Sequence, residues 1–420
     1  MNKGFIKSIF GLQFKVYRKV RQNAVKEMEQ IKDLSDIRKN IDALDDEFSK
    51  LFIKRMALSE QVAAFKKSTA RPVRDGARED AIVERLSKGQ SQKDTDALKL
   101  LYNTVFELSR SRQSMLLAEN NADGDGGIEK RITDAYNARS EHFPDGAVIA
   151  CQGVEGAYSQ IACSKIFNNP HIMYFDNFES VFKSVQSGLC RYGVLPFENS
   201  IHGSVTEVYD MLASSDVSVC KSVKLPIHHA LLAKKGVSLS EITEIYSHRQ
   251  AIGQCSDFLN ANRKIKVNIC ENTAMAARMV ANSSDKGIAA ISSEACASLY
   301  GLDVLKKDLQ NSGVNFTMFY CITKKLEIYG DVKKSAFMFN IPNRSGSLFS
   351  VLSRFAVNGI NLTKIESRPI SGKDFEFMFY AEADAEGLNK SLLSLFGEFE
   401  KTLDFFRFIG AYDEFSPENT

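Results

Sequence analysis

Cysteine pairs at CxxC spacing, histidine pairs at HxxxH spacing and an apolar run of the roughly 18 residues needed to span a membrane are all missing from this chain. The eight cysteines (151, 163, 190, 220, 255, 270, 296 and 321) mostly lie inside apolar runs, where a thiol packs as a small hydrophobe. That distribution argues against a disulfide framework and points to a reducing, cytoplasmic setting. The six histidines (142, 171, 202, 228, 229 and 248) are just as dispersed, so no metal site is expected, and His228-His229 reads as structural. An excess of one charge is lacking too: 54 Lys+Arg stand against 52 Asp+Glu, a net charge of +2. No global field favours nucleic acid or a membrane surface, and a small-molecule ligand is the expectation.

Cofactor fingerprints are absent as well. Gly153-x-x-Gly156 lacks the GxGxxG spacing and no GxxxxGK[ST] occurs, so no cofactor is expected. Ser292 and Ser293 have no His-Asp companions for a hydrolase triad. Residues 1–27 are basic, with Phe5, Ile6, Ile9, Phe10, Phe14 and Val16 interleaved, yet lack the apolar core and cleavage site of a signal peptide. They read either as a surface helix or as sequence ahead of a start at Met28.

What is present is enough for two to four domains: 420 residues, 44% of them hydrophobic. From Leu34 to Phe65 two heptad stripes run side by side, Leu34, Ile41, Phe48, Arg55, Val62 and Ile37, Leu44, Leu51, Leu58, Phe65. Arg55 alone interrupts them. A guanidinium in an apolar seam needs a partner, which can be an interhelical carboxylate or a bound anion. Arg38 and Lys66 lie on an adjoining stripe, so an anion site is expected. Arg38 and Arg55 are about 25 Å apart along one helix, too far to hold one small molecule together. Arg38 must act elsewhere or on a second subunit. Asp75 stands at an N-cap position with Arg78 and Glu79 in the following turn, and a third helix, capped near Asp94 or Thr95, carries Ser109 and Gln113 at the polar end of its inner stripe.

In order and nearly in spacing, Arg38, Arg55, Lys66, Asp75, Arg78, Glu79, Ser109 and Gln113 resemble the ligand set of the all-helical chorismate mutases over residues 31–118. The resemblance implies two intertwined chains sharing each site, and a pericyclic rearrangement of chorismate to prephenate driven by restraint and electrostatics. Arg38 and Arg55 would clamp the carboxylates, and Lys66 and Gln113 would donate to the ether oxygen. Glu79, Asp75 and Ser109 would hold the hydroxyl and its neighbours.

Residues 119–146 read as a flexible acidic linker. Asn121, Asp123, Asp125 and Gly126 sit at EF-hand positions, but position 12 is Ile132, so calcium is not expected. From 147 to 326 apolar strands repeatedly give way to polar, Gly- or Ser-rich loops and then helices, which predicts a parallel α/β unit. Five such helix N-termini favour a cleft for an anionic metabolite. Among the loops are Gly156-Ala-Tyr-Ser159 and Pro196-Phe-Glu-Asn-Ser200, the latter running on to Ser204.

Those segments, with Tyr246-Ser-His248, Gln254-Cys255, Ser293-Glu-Ala295, Leu299-Tyr-Gly-Leu302 and Asn315-Phe-Thr317, resemble prephenate dehydratase. The implied fold is two α/β lobes, periplasmic-binding-protein-like, with prephenate between them losing CO2 and its C4 hydroxyl to give phenylpyruvate. Thr317 matches that family's essential threonine and would be the hydrogen-bond donor, with Glu198 a second candidate acid. Asn199, Ser200 and Ser204 are candidate substrate ligands. One departure stands out: the family's Thr-Arg-Phe reads Thr317-Met318-Phe319, leaving a cation missing unless another residue such as Arg249 supplies it.

Residues 334–413 give the order βαββαβ of an α+β ferredoxin-like unit. Gly346, Ser347, Leu348 and Phe349, Asn361, and Glu366-Ser367-Arg368-Pro369 resemble the ACT domain of phenylalanine-sensitive dehydratases, with phenylalanine bound between paired domains. The three units in this order resemble the bifunctional mutase–dehydratase of phenylalanine biosynthesis, acting as a homodimer or higher homo-oligomer. A competing expectation is a chorismate mutase fused to an impaired, dehydratase-like sensor, on the strength of Met318.

Overall fold

The computed structural model describes residues 33–69, 75–118, 127–344, 346–370 and 376–415. The basic segment 1–27, the run 71–74 and the EF-hand-like stretch 121–126 lie outside the described residues. The chain divides into two compact units at residues 120/121.

The first unit holds helices α1 (Leu34–Thr69), α2 (Gly76–Ser87) and α3 (Gln92–Ala118). Asp75 caps α2, its carboxylate accepting from the Arg78 amide at 3.1 Å. The expected start of α3 is corrected by one turn: the Ser91 hydroxyl accepts from the Asp94 amide at 3.2 Å and donates to its carboxylate at 2.6 Å, so Ser91 is the cap. Met56 and Ala63 of α1 are buried with Val105 and Phe106 of α3. The heptad stripes are not: Leu34 is 59% exposed, Leu44 66%, Leu51 59% and Phe65 59%. Among the described residues, Leu34, Leu44 and Leu51 stay open to solvent although they lie on regular heptad stripes.

The second unit begins with α4 (Ile128–Asn137), inside the segment expected to be a linker. Ile132 is fully buried there, and the Ile128 amide donates to Glu400 at 2.9 Å. The apolar Ile128/Ile132 spacing of one helical turn is what ties it down. There follow β1 (Val148–Gln152), α5 (Tyr158–Ile166), β2 (His171–Phe175), α6 (Phe178–Ser187), β3 (Tyr192–Asn199), β4 (Gly203–Ser204), α7 (Thr206–Ser214) and β5 (Ser218–Pro226). A second lobe contains β6 (Ala230–Ala233), β7 (Glu244–His248), α8 (Arg249–Gln254), α9 (Ser256–Ala261), β8 (Lys266–Cys270), α10 (Thr273–Asn282), β9 (Ile288–Ser292), α11 (Glu294–Tyr300) and β10 (Asp303–Lys306). The chain then returns to the first lobe as β11 (Phe316–Thr323).

Last come β12 (Lys334–Ile341), α12 (Ser347–Val357), β13 (Leu362–Pro369), β14 (Phe377–Asp384), α13 (Lys390–Thr402), β15 (Phe405–Tyr412) and β16 (Glu414–Phe415). The sheets have the orders β16-β5-β11-β3-β1-β2 with β4 on β3, β10-β6-β9-β7-β8, and β13-β14-β12-β15. The third is the antiparallel order of a ferredoxin-like βαββαβ unit. The first two are mixed rather than parallel, because β11 runs antiparallel to both β3 and β5, and β6 antiparallel to β9 and β10. Pro196 to Asn199, expected in a loop, continue β3; β11 supplies the ladder partners that the sequence pattern hides.

The helix termini expected to favour an anion start both with and without a side-chain cap: His248 accepts from the Gln250 amide at the start of α8, whereas α5 and α11 begin after Ala157 and Ser293 with none. The Asn272 side chain accepts from the Met275 amide, and α7 starts from Val205 with no side-chain cap. Gly156 has φ +90°, and a Cβ there would meet Cys296 Sγ at 2.8 Å, so only glycine allows the first lobe's loop to lie on α11.

The first and third sheets share one core, in which Phe197, Tyr209 and Tyr320 pack with Met338, Tyr380, Ile409 and Tyr412. Gly410 of β15 lies so close to β5 that a Cβ would overlap the Val219 carbonyl oxygen, at 1.9 Å. Gly410→Ala is therefore expected to push the sheets apart and destabilise the second unit by about 1–3 kcal/mol, the usual range for overpacking. An unchanged unfolding midpoint in a denaturant titration would contradict so close an approach.

Candidate active sites

In the helical unit, the interrupted seam does find a partner. The Arg55 guanidinium donates to the Ser109 hydroxyl at 2.6 Å and lies 5.6 Å from the centre of the Phe106 ring. Among the described residues no carboxylate bonds to it directly. Burial lowers the Arg55 pKa, with Tyr102 and Glu79 pulling the other way. Gln113 is buried, and its Oε1 has no hydrogen-bond partner among the described residues. A buried amide oxygen without a partner, one helical turn beyond the hydroxyl that receives Arg55, marks a polar group that the described protein atoms do not satisfy.

Glu79 pairs with Arg110, which also pairs with Glu107. Burial would lower the Arg110 pKa, but Glu107 and Glu79 outweigh it and raise it. Arg110 was not a candidate from the sequence, since a cation next to Ser109 reads as a solvated helix face. Lys66 is half-buried, Asp75 is occupied as a cap, and Arg38 is exposed. Within one chain, then, Arg55, Ser109, Gln113 and Glu79 belong to the buried α1–α2–α3 packing and Arg38 does not.

In the α/β unit the key geometry is a cross-strand pair. Thr317 of β11 lies opposite Asn199 of β3 and Met318 opposite Glu198, and the ladder shifts between Met318 and Phe319. Paired residues share a face, so Thr317 and Asn199 point to one side and Met318 and Glu198 to the other. On the Thr317 side, Asn199 Nδ2 donates to Thr317 Oγ1 at 3.0 Å, to Asn315 Oδ1 at 3.0 Å and to the Phe316 carbonyl at 3.1 Å. Asn315 Nδ2 donates to Gln254 Oε1 at 3.1 Å, and His229 Nε2 lies 2.8 Å from the same oxygen. The chain His229–Gln254–Asn315–Asn199–Thr317 therefore crosses from the second lobe to the first where residues 227–229 and 307–315 join them.

Ser200 extends the ladder, its amide donating to the Phe316 carbonyl at 2.9 Å and its hydroxyl accepting from the Phe316 amide at 2.9 Å. Two sequence candidates stand elsewhere. Ser204 donates to Glu366 of β13 at 2.5 Å, and Glu198 pairs with Lys364 of the same strand. The shift in the ladder is the reason: an extra residue in β3 sets Phe197 and Glu198 together on the face that the third sheet covers. Met318 packs into that shared core, so residue 318 does not face Thr317. Arg249 opens α8 and is exposed.

His229, Gln254 and Asn315 were missed as site residues. His229 read as structural because nothing local shows its partner, which is 25 residues further on. Among the described residues no cluster of three or more His, Cys, Asp or Glu is placed to hold a metal, and no helix is long and apolar enough to cross a membrane.

In the third sheet Gly346, with φ +84°, caps α12. Along β13 burial alternates strictly. Lys364, Glu366 and Arg368 turn toward the first sheet, whereas Thr363, Ile365, Ser367 and Pro369 are exposed. Of the expected regulatory residues, Glu366 and Arg368 thus hold Ser204 and Asp210, while Ser367 and Pro369 face outward. Asn361 donates to Asp384 at 2.8 Å, and Phe349 is exposed.

Residues 149–327 match the family model for prephenate dehydratase, and residues 37–114 that for chorismate mutase type II. The bifunctional chorismate mutase/prephenate dehydratase of Enterobacter agglomerans is 30% identical over 388 residues, covering 90% of this chain and 95% of that protein. The chain belongs to the bifunctional chorismate mutase/prephenate dehydratase family. An arogenate dehydratase/prephenate dehydratase of Arabidopsis thaliana is 34% identical over 275 residues, 63% of this mutase–dehydratase chain and 72% of the plant protein. The prephenate dehydratase of Arthrobacter aurescens, solved in complex with L-Phe, shares the fold at a TM-score of 0.58 and 24% identity, covering 63% of this chain and 89% of that one.

Burial lowers the His229 pKa, the Gln254 hydrogen bond opposes that, and the charge of His228 adds to it. The unfolded chain takes up this proton near pH 6.5, as an ordinary histidine does, and the folded mutase–dehydratase resists it. The stability that neutral His229 contributes is present above about pH 6.5 and is lost as pH falls below it. His229→Gln, whose amide can still donate to Gln254, is expected to reduce the fall in denaturant midpoint between about pH 7 and about pH 5. His248, also lowered by burial, keeps part of that fall. An unchanged pH dependence would show that His229 is not the group resisting protonation.

Proposed function

We propose that this chain rearranges chorismate to prephenate in its helical unit and converts prephenate to phenylpyruvate in its two-lobed unit, under control of phenylalanine at the four-stranded sheet. The observation that carries the dehydratase half is the bond from Asn199 Nδ2 to Thr317 Oγ1. An amide donating to a hydroxyl oxygen occupies its lone pair and leaves its own proton to be given away. Thr317 then donates to the C4 hydroxyl of prephenate as that group departs, while the ring carboxylate leaves as CO2 and its electron pair completes the aromatic ring. Ser200 fixes the end of β11 beside Thr317, and Glu198, turned to the other face, positions rather than protonates.

In the mutase, Arg55 binds a substrate carboxylate, and Lys66 and Gln113 face the ether oxygen that gains charge. Glu79 holds the hydroxyl, oriented by Arg110, with Asp75 and Ser109 completing that side. Arg38 acts in the partner's site. Two observations support a homodimer here: Arg38 is exposed, and Leu34, Ile41, Phe48, Leu51 and Leu58 form an apolar face on α1 that is exposed among the described residues. We place these reactions in the cytosol, in keeping with eight free cysteines.

For the regulatory sheet, the L-Phe complex of the Arthrobacter aurescens relative supports phenylalanine as the effector. The backbone at Gly346–Phe349, with Asn361, Ser367 and Pro369, lines its site, and Glu366 and Arg368 anchor the strand that carries it. The sensor alternative rested on Met318. Its side chain packs on the core opposite Thr317, so the loss of a cation there leaves the reacting face intact.

Thr317→Val keeps the shape of the residue and removes the hydroxyl; phenylpyruvate formation from prephenate is expected to fall about 10²–10³-fold with mutase turnover unchanged. Retained dehydration would remove Thr317 from the chemistry. Arg55→Ala is expected to abolish prephenate formation while dehydration of supplied prephenate stays normal. Mixed dimers of Arg38→Ala and Arg55→Ala chains should regain part of the mutase rate, since one site per dimer is rebuilt whole. No recovery in verified mixed dimers would contradict a shared site.

A further inference from the structure

Lys364 occupies an unusual place for a lysine. Its ammonium lies 5.1 Å from the Phe197 ring centre, 5.5 Å from Tyr209 and 5.8 Å from Tyr380, a cage of three aromatic rings. Phe197 and Tyr209 come from the two-lobed unit, Tyr380 from the four-stranded sheet. The side chain is 18% exposed and pairs with Glu198 and, at 3.7 Å, with Glu366. A cation held by ring faces on three sides and by two carboxylates has few other rotamers open to it, so it fixes what it touches.

Glu198 immediately precedes Asn199, the residue whose amide holds the Thr317 oxygen. The shift in the β3–β11 ladder falls at this point, where pairing alone specifies the backbone least. Glu198 also pairs across β4 with Ser204, whose hydroxyl bonds to Glu366. Lys364 and Glu366, two residues apart on one strand, therefore grip both sides of the β3–β4 turn. Arg368, the next on that face, reaches Asp210 of α7 at 3.8 Å.

We propose that Lys364 is a positioning residue for the dehydratase reaction. Through Glu198 it sets the end of β3 so that Asn199 aims the Thr317 hydroxyl at the substrate, and any shift of β13 is felt at Thr317 by this route. The inference rests on Thr317 being the dehydratase donor, as proposed above. It adds that a side chain of the regulatory sheet is required for full turnover even without effector.

The test is a double-mutant cycle on the full-length protein with prephenate as substrate. Lys364→Met fits the cage without charge, and Glu198→Gln keeps the shape without charge. Each is expected to lower kcat about tenfold with KM little changed, toward the lower end of typical site-to-site coupling. The double variant is expected to be no worse than either single one, because both break the same link. Lys364→Arg, which restores a cation to the cage, should recover most of the rate, whereas a purely structural role would track the unfolding midpoint instead.

Multiplicative losses in the double variant, or a normal kcat in folded Lys364→Met, would overturn the proposal. So would a Glu198→Gln loss far exceeding that of Lys364→Met, since Glu198 would then be acting in the chemistry itself. If Lys364→Met does not fold, Glu198→Gln and Lys364→Arg decide it: a normal kcat in the first, or a tenfold loss in the second, overturns it. Failure of the underlying reading looks different, as a wild type without prephenate turnover or a Thr317→Val variant with full turnover.

Discussion

The antiparallel insertion of β11 between β3 and β5 is the constraint on which the second unit depends. The chain leaves the first lobe after Pro226, builds the second, and comes back only at Phe316. Until that strand is in place, β3 lacks one neighbour and Asn199 has neither Thr317 nor Asn315 to bond. Closure of the first sheet and assembly of the amide network are thus one event. The same strand delivers Tyr320 to the core shared with the third sheet, where its hydroxyl bonds to Glu382 at 2.5 Å and to Tyr380 at 2.7 Å. Alternation along one strand puts Thr317 on one side and the contacts with the third sheet on the other.

This arrangement gives regulation a short physical path. Between the exposed face of β13 and Thr317 stand a strand, the Lys364–Glu198 ion pair and the Asn199–Thr317 bond. The third sheet is held further by Arg407, which donates to the Leu212 and Val217 carbonyls at 2.8 and 2.7 Å, at and just beyond the C-terminal end of α7. Carbonyls left unpaired at a helix end are a natural seat for a guanidinium. A packed core of rings with few polar links passes on displacement rather than absorbing it, because close-packed interiors have little free volume.

Much of this was legible in the sequence. Heptad spacing gave α1, the Asp75 cap gave the start of α2, and the succession of strand and helix segments after residue 334 gave the ferredoxin-like order. What was not legible was long-range. Phe197 and Glu198 are adjacent letters, and nothing local says that a ladder shift sets them on the same face, which leaves Asn199 alone with Thr317 on the other. Glu366 and Ser367 share a motif but part by the ordinary alternation of a strand, whose buried side the sequence does not name. Residues 128–137 read as linker because their apolar positions are few, and their partner, α13, lies far along the chain. Arg55 was recognised as anomalous, but the hydroxyl that receives it sits on a different helix, and Arg110 could not be told from an ordinary surface cation.

The short strand β16 runs parallel to β5 through the pairs Glu414–Ser222 and Phe415–Val223 and closes the border of the first sheet. The regulatory sheet is thereby bracketed, since β11 precedes it and β16 follows it in the same catalytic sheet. Removing the residues after β11 would strip β5 of those two pairs and bare backbone groups around Ser222 and Val223. Bare edges of that kind recruit other chains. The segment that follows the third sheet therefore also covers part of the first sheet's edge.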